Sequence, residues 1–124
     1  MKWQFIVAAV VLVAAYWAWM QYRARLTPEQ WKALRDAADA GALIVDVRTP
    51  AEYASGHIDG ALNLPLGQLS QKLGKLGKKK RPLLVYCRSG NRSSSAVALL
   101  RDAGFARVLD LKTMGHWRKL QTAP

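Results

Sequence analysis

The chain has 124 residues, of which 19 are Lys or Arg and 8 are Asp or Glu, so its formal net charge is +11 at pH 7. Hydrophobic residues make up 51% of the sequence, which excludes a disordered acidic tail and a collagen. A mean hydropathy near zero excludes a multi-pass membrane protein. A single cysteine excludes an internal disulfide framework and is too few for a cysteine-based zinc site. The length allows one ordinary domain.

The first predicted element is a membrane-spanning helix over residues 3–20. This run, WQFIVAAVVLVAAYWAWM, holds no charged side chain and one polar side chain, Gln4. A spanning helix needs about 20 apolar residues, a length that the next two residues supply. Aromatic side chains stand at both ends of the run, as expected where rings lie at the headgroup level. We therefore predict an anchor and juxtamembrane segment over residues 1–25, with residues 3–22 in contact with membrane lipid.

A cleaved signal peptide is the alternative interpretation of this apolar segment. Cleavage requires small residues at the −3 and −1 positions, but Tyr16 and Tyr22 stand at −3 for the candidate sites after Ala18 and Ala24. Cations are more numerous after the run than before it, where Lys2 stands beside the free amine, so positive-inside counting places the following domain in the cytoplasm. The expected location is the bacterial inner (plasma) membrane, crossed once.

Residues 26–124 form the predicted domain, and they keep a net charge of +8 once the three cations of residues 1–25 are set aside. Each Lys or Arg near an anionic leaflet contributes about 1 kcal/mol of attraction, and such a surface also attracts anionic substrates. Nucleic acid is not an expected partner, because the sequence has no zinc-finger, RRM-like or helix-turn-helix signature.

Two segments of the domain carry the same helix start signal. Residues 27–30, TPEQ, combine a threonine cap, a proline at the first helical position and a glutamine that completes a capping box. The helix that they begin ends at Gly41. Residues 49–52, TPAE, repeat the signal and predict a short helix that ends near Gly56. Between the two helices, residues 42–47 (ALIVDV) predict a buried parallel strand.

Strands and helices continue to alternate along the rest of the domain. Strands are predicted at residues 61–64, 83–86 and 106–109, and helices at residues 93–101 and 114–120. After the first of these strands, one helical face is shared by Leu66, Leu69, Leu73 and Leu76, in a helix that two glycines weaken. The alternation predicts an α/β fold with a mainly parallel central sheet flanked by helices.

The predicted chemistry lies where the strand at residues 83–86 ends. That strand runs directly into Cys87, a polar loop with Gly90 follows, and a helix begins soon after. Ligands of open α/β sheets bind at the carboxyl ends of strands, and a helix N-terminus offers free N–H groups to an anion. Together with Arg88 and Arg92, these surroundings favour the thiolate, the nucleophilic form of cysteine. Cys87 is therefore the candidate nucleophile rather than a small buried hydrophobe.

Several motifs resemble the rhodanese-like domain family in their order and spacing. They are Asp46-Val47-Arg48, Glu52-Tyr53, Gly56-His57-Ile58-Asp59-Gly60-Ala61, Asn63-Leu64-Pro65 and the Cys87–Arg92 loop, which falls where the family has its active site. The resemblance covers about residues 26–120 and implies the rhodanese-like fold. It is strongest to the single-domain, membrane-anchored bacterial members of the family.

The resemblance implies that sulfur is transferred through a persulfide on Cys87. Thiosulfate or a similar sulfane compound would be the donor, and a thiol or a protein cysteine would be the acceptor. Loop amides would cradle the persulfide, Arg88 would bind the sulfonate end of a donor, and Arg92 would orient the loop and help to bind the anion. The implied substrate-binding residues are Arg88, Ser89, Gly90, Asn91 and Arg92. No metal, nucleotide or flavin site is recognisable in the sequence, so no cofactor is expected.

Other residues of the shared motifs are expected to support the site. Asp46 and Arg48 follow a buried strand and are expected to hold loops by hydrogen bonds and charge. Glu52 is interpreted as a helix-start carboxylate and His57 as part of a scaffold turn.

The sequence departs from the family pattern near its C-terminal end. The family often has a Gly-Gly pair before a tryptophan there, whereas this chain has Lys112 and Thr113 ahead of Trp117. That loop borders the pocket in the family, so the donor preference of this chain stays open. Trp117 is interpreted as a core residue, and His116 is assigned no role.

Two other functions are weighed against sulfur transfer. Cysteine phosphatases of the dual-specificity type share the architecture but have five residues between the cysteine and the arginine, whereas four separate Cys87 from Arg92. The shorter loop suits a sulfur atom better than a phosphate or an arsenate, and it holds no acidic residue to protonate a leaving group. A membrane-tethered sulfur carrier or protein-binding module, with little turnover of thiosulfate, remains the alternative function.

A basic loop lies outside these motifs. It comprises residues 78–81, KKKR, together with the preceding Lys72 and Lys75. A solvated face is the default interpretation, and contact with anionic lipid or an acidic partner is the alternative.

Overall fold

The computed structural model describes residues 2–122. In chain order its elements are α1 (Lys2–Ala24), α2 (Pro28–Asp39), β1 (Leu43–Asp46), α3 (Pro50–Ala54), β2 (Leu62–Asn63), two 3₁₀ helices (Leu66–Gln71 and Leu73–Leu76), β3 (Leu83–Tyr86), α4 (Asn91–Asp102), β4 (Val108–Lys112) and α5 (Met114–Thr122). Residues Lys2–Arg23 form a helix long and apolar enough to cross a membrane, with a mean hydropathy of 1.7, and its apolar stretch is not buried against the rest of the chain.

The four strands form one sheet in which every pairing is parallel. Their spatial order is β2-β1-β3-β4, which confirms the predicted α/β fold. Strand β3 has the predicted bounds, whereas β4 lies later than predicted because the polar Asp110 and Lys112 also pair with β3 and lengthen the strand. Since parallel strands share one direction, β1, β3 and β4 all end at the same edge of the sheet, and Cys87 lies at that edge.

Both predicted helix starts are present. In α2 and α3 alike, the cap threonine accepts a hydrogen bond from the third residue's amide at 3.2 Å, and that residue's side chain accepts the cap amide in return. Leu34 and Ala37 bury the inner face of α2, whereas α3 has no fully buried residue. Helix α3 is therefore a short surface helix whose start is fixed by its side-chain cap.

Alternate residues of β1 and β3 face opposite layers. Val45 and Val85 pack against α4 and the leucine segment, Leu66–Leu76. Ile44 and Leu84 pack against α2 and α5 on the other side of the sheet. Strands covered on both faces explain why the sequence reads there as continuous apolar runs.

The leucine segment forms two 3₁₀ helices in place of the single helical face predicted for it. Lys72, with φ −123°, separates the two pieces. The three-residue spacing of Leu66 and Leu69, and of Leu73 and Leu76, matches the three residues per turn of a 3₁₀ helix. A glycine in each piece also disfavours a longer α-helix. Leu69 and Leu76 are nevertheless buried and belong to the core.

Candidate active site

Cys87 follows directly after β3 and lies at the base of the polar loop. Its residue is 1% exposed. Its own N–H donates to the carbonyl of Lys112 at 3.0 Å, which ties the loop to β4. The N–H of Gly90 donates to the Cys87 sulfur at 3.0 Å. The loop therefore folds back over the sulfur and aims at least one backbone donor at it.

Gly90 makes this return possible. Its φ of +97° lies in the left-handed region, where a side chain is unfavourable by about 1–2 kcal/mol. It is the N-cap residue of α4, and its carbonyl accepts the Ser94 amide at 3.1 Å and the Ser93 hydroxyl at 3.1 Å. The first turn of α4 thus begins immediately after the bond to sulfur, and its positive end faces the same loop.

The predicted substrate-binding residues divide into exposed and anchored ones. Arg88, Ser89 and Asn91 are exposed at the rim of the loop, and Gly90 is half-buried within it. Arg92 is directed to Glu52, to which its Nη1 and Nη2 donate at 2.6 and 2.9 Å. The structure therefore brings the loop residues together around Cys87 but commits the Arg92 guanidinium to a carboxylate.

The pairing of Glu52 with Arg92 is the contact that the sequence did not predict. The hydrogen bonds from Arg92, and secondarily the amide of Thr49, lower the pKa of Glu52 to about 2. The partners stand 40 residues apart, and the capping box already accounts for a glutamate at position 52. No local signal pointed to a second role, so the interpretation of Glu52 as a helix-start carboxylate is incomplete.

Asp46 and Arg48 form a buried network at the carboxyl ends of β1 and β3. The Arg48 Nη2 lies 2.7 Å from the Asp46 Oδ2, with side chains 6% and 0% exposed. Arg48 also donates to the carbonyl of Gly56 at 2.7 Å. The Tyr86 hydroxyl donates to Asp46 at 2.7 Å and accepts the Ile58 amide at 3.1 Å. Burial, and then the bond to Asp46, raises the pKa of Tyr86 to about 12, so the hydroxyl keeps its proton.

This network joins three segments of the chain, namely the end of β1, the end of β3 and the turn that follows α3. The Asn63 amide adds bonds to the carbonyls of Asp46 and Arg48 at 3.1 and 3.0 Å. Asp46 and Arg48 thus hold several backbone segments together, and none of these contacts points a charged group at the sulfur; their support of the reaction stays a prediction.

Lys112 borders the loop from β4. The register of β3 and β4 shifts by one residue after Val85, so that Tyr86 lies opposite Lys112. Lys112 has φ +68°, the only positive value of a non-glycine residue within residues 2–122. Its Cβ, Cγ and Cδ lie 3.5–3.8 Å from where a side chain on Gly90 would begin. Beside it, burial raises the pKa of the Asp110 carboxyl, and bonds from Ser93 and the Lys112 amide oppose the shift.

The two histidines and Trp117 make contacts with other parts of the domain. His57 is exposed, bonds the Tyr53 carbonyl at 2.8 Å and stacks on the Tyr53 ring at 3.6 Å. His116 bonds the Leu111 carbonyl at 2.8 Å. Trp117 is half-buried against the core on the α2 side of the sheet. In the described part of the chain, no three His, Cys, Asp or Glu side chains converge on a metal position.

Comparison with known proteins places these features in one family. The Rhodanese-like domain family matches residues 27–116. A protein named sulfurtransferase from Allochromatium vinosum is 44% identical over 79 residues, which cover 64% of this chain and 71% of that protein. A protein named thiosulfate sulfurtransferase GlpE from Stutzerimonas stutzeri is 40% identical over 87 residues, covering 70% of this chain and 76% of that protein.

Solved structures agree with the sequence relatives. A rhodanese-like domain from Anabaena superposes with a TM-score of 0.59 at 36% identity, covering 64% of this chain and 92% of that domain. A human single-domain sulfurtransferase superposes with a TM-score of 0.58 at 29% identity, covering 69% of this chain and 89% of that protein. With the parallel sheet and the cysteine loop at its carboxyl edge, these matches identify the chain as a member of the rhodanese-like domain family.

Proposed function

We propose that this chain is a sulfurtransferase that moves a sulfane sulfur from thiosulfate, or a similar donor, to a thiophilic acceptor through a persulfide on Cys87. The observation that carries the proposal is the Gly90 amide donating to the Cys87 sulfur at 3.0 Å, at the carboxyl edge of a parallel sheet. A hydrogen-bond donor in that position stabilises negative charge on sulfur. Relatives named sulfurtransferase and thiosulfate sulfurtransferase support the same reaction class.

In the first step, the Cys87 thiolate attacks the outer sulfur of thiosulfate. A new S–S bond forms to Cys87, the S–S bond of thiosulfate breaks, and sulfite leaves with the electron pair. In the second step, the acceptor attacks the outer sulfur of the persulfide and regenerates the Cys87 thiolate. With cyanide the product is thiocyanate, and with a thiol it is a new persulfide. The donor itself carries the transferred sulfur, so the proposed reaction calls on no cofactor.

Each loop residue has a proposed part in these steps. The amides of Arg88, Ser89, Gly90, Asn91 and Arg92 cradle the sulfur atoms, and the exposed Arg88 side chain binds the sulfonate end of the donor. Arg92 orients the loop by holding Glu52. Asp46 and Arg48 act indirectly, because their buried network fixes the ends of β1 and β3.

We also propose that α1 tethers the domain to the bacterial inner membrane, with the domain on the cytoplasmic side. The length and apolar character of residues Lys2–Arg23 support this placement. The cations at and after the end of the helix support the orientation, since Arg23, Arg25, Lys32 and Arg35 outnumber Lys2 and the free amine. Lipid is then a partner of residues 3–22, and the sulfur donor and a thiol or protein acceptor are the partners of the site.

Intact-protein mass spectrometry after incubation with thiosulfate tests the proposed chemistry. The detergent-solubilised chain is expected to gain one sulfur atom, and the Cys87→Ala variant to gain none. Cyanide is expected to remove the added sulfur as thiocyanate. A wild-type chain that never gains sulfur, although Cys87 still reacts with an alkylating reagent, would contradict thiosulfate as the donor. Slow turnover of thiosulfate with rapid sulfur exchange to a protein thiol would instead favour a sulfur carrier.

A further inference from the structure

The backbone of Lys112 is held in a conformation that L residues with side chains rarely adopt. Its φ is +68°, and the neighbouring contacts fix it on both sides. The Lys112 amide donates to the Asp110 carboxylate at 3.0 Å, and its carbonyl accepts the Cys87 amide at 3.0 Å. Glycine would relieve the strain, so the lysine side chain is the feature that needs an explanation.

The Lys112 side chain packs against Gly90 in the Cys87–Arg92 loop. Its carbons from Cβ to Cδ lie 3.5–3.8 Å from the position of a Cβ on Gly90. Gly90 is also the residue whose amide donates to the Cys87 sulfur. The ammonium, two bonds beyond Cδ, is therefore carried on a flexible stem at the rim of the site.

This ammonium donates to a main-chain carbonyl, and the nearby Asp110 carboxylate interacts with its charge without forming an ion pair. Its Nζ donates to the main-chain carbonyl of Arg23 at 3.1 Å. Lys112 forms no ion pair with any Asp or Glu among residues 2–122, in contrast to Arg92, which is paired with Glu52. A carbonyl can be exchanged for an anionic oxygen of a ligand, whereas the paired Arg92 would have to give up its carboxylate first.

We propose that Lys112 is a specificity residue that makes the Cys87 site selective for anionic sulfur donors. In this role the ammonium leaves the Arg23 carbonyl when an anionic donor enters. The ammonium then attracts the charged end of that donor, beside Arg88. The inference rests on the proposed sulfur transfer and specifies the class of donor that the site accepts.

Alkylation of Cys87 in the detergent-solubilised full chain tests the charge at the rim without requiring sulfur transfer. The Cys87 thiolate reacts with both iodoacetate and iodoacetamide, but only iodoacetate is anionic. The rate with iodoacetate divided by the rate with iodoacetamide therefore reports the local charge. In Lys112→Gln, which keeps the stem and removes the charge, we expect this ratio to fall about three- to tenfold. In Lys112→Arg the ratio is expected to return towards the wild-type value.

Lys78→Gln is the matched control, because it removes one exposed lysine at the opposite end of β3. Equal ratios for Lys112→Gln and Lys78→Gln would overturn the proposal. Steady-state assays add a second measure, since Lys112→Gln should raise KM for thiosulfate with little change in kcat. Failure of the wild-type chain to form a persulfide would sink the proposed function, whereas an unchanged alkylation ratio would sink only the role of Lys112.

Discussion

At the scale of single residues, Glu52 joins two structures that are remote in sequence. Its Oε1 accepts the Thr49 amide at 3.2 Å and so completes the cap of α3. The same oxygen accepts Arg92 Nη1 at 2.6 Å, and Oε2 accepts Nη2 at 2.9 Å. One carboxylate therefore fixes both the start of a helix and the far end of the cysteine loop.

Replacement Glu52→Gln separates these two roles. Gln30 occupies the equivalent position in the cap of α2, so the variant keeps the capping box and loses the charge-assisted pair. The hydrogen bonds from Arg92, together with those from Thr49, lower the pKa of Glu52 from 4.5 to about 2. The charge of Glu52 therefore stabilises the fold above pH 4.5, and this stabilisation is lost as the pH falls towards 2. The Tm difference between wild type and variant should be largest at neutral pH and shrink over that range. A constant difference from pH 7 to pH 2 would contradict this account.

The Asp46–Arg48 pair differs from the partly exposed Glu52–Arg92 pair, because both of its side chains are almost completely buried. In Arg48→Met the Asp46 carboxylate stays buried and loses its cation, a change that costs about 3–5 kcal/mol in comparable cases. Urea unfolding followed by circular dichroism measures the loss. Lys32→Met is the control, because the Lys32–Asp36 pair has side chains 77% and 53% exposed and should contribute only about 0.3–0.5 kcal/mol. Similar losses in both variants would be inconsistent with a buried supporting network.

At the scale of elements, α2 and α3 provide a comparison within one chain. Both start with the same threonine cap, but only α3 carries a residue that reaches the cysteine loop. Thr27→Ala and Thr49→Ala should each lower the free energy of unfolding by about 0.5–2 kcal/mol. Thr49→Ala should also slow sulfur transfer, because Glu52 loses the cap that positions it for Arg92. If both variants kept the wild-type rate, the link from α3 to the loop would be structural only.

The elements also show what the sequence could predict. Strand β3, the two capped helices and the loop after Cys87 depend on local signals, and each lies where those signals placed it. The leucine segment shows a limit, since spacings of three and four residues fit more than one helix type. The Glu52–Arg92 pair could not be predicted from spacing at all, because the two residues meet only once β1 and β3 have paired. For Lys112 the sequence revealed an unusual residue but not its left-handed backbone.

At the scale of the whole molecule, the first question is whether α1 stays attached. A retained anchor predicts that the chain stays with the membrane pellet after alkaline carbonate extraction, and that its intact mass includes residues 1–25. Exposed aromatic side chains at both ends of the helix, Trp3 and Tyr22 among them, favour this outcome. A mature chain that begins near Arg25 would instead identify a cleaved signal peptide.

The parallel topology of the sheet also affects how early in folding the loop around the Cys87 thiol can form. Leu43 pairs with Leu83, and Leu83 pairs with Val108, so each pairing closes a long loop and forms slowly. The Cys87 amide meets its carbonyl partner only on β4, the last strand of the sheet. Before β4 has paired, the loop over the sulfur lacks this tie to the sheet, so we expect the thiol to be more open to oxidation and to coupling with a second chain. We therefore expect the redox conditions during folding, more than the stability of the finished domain, to set the yield of active protein.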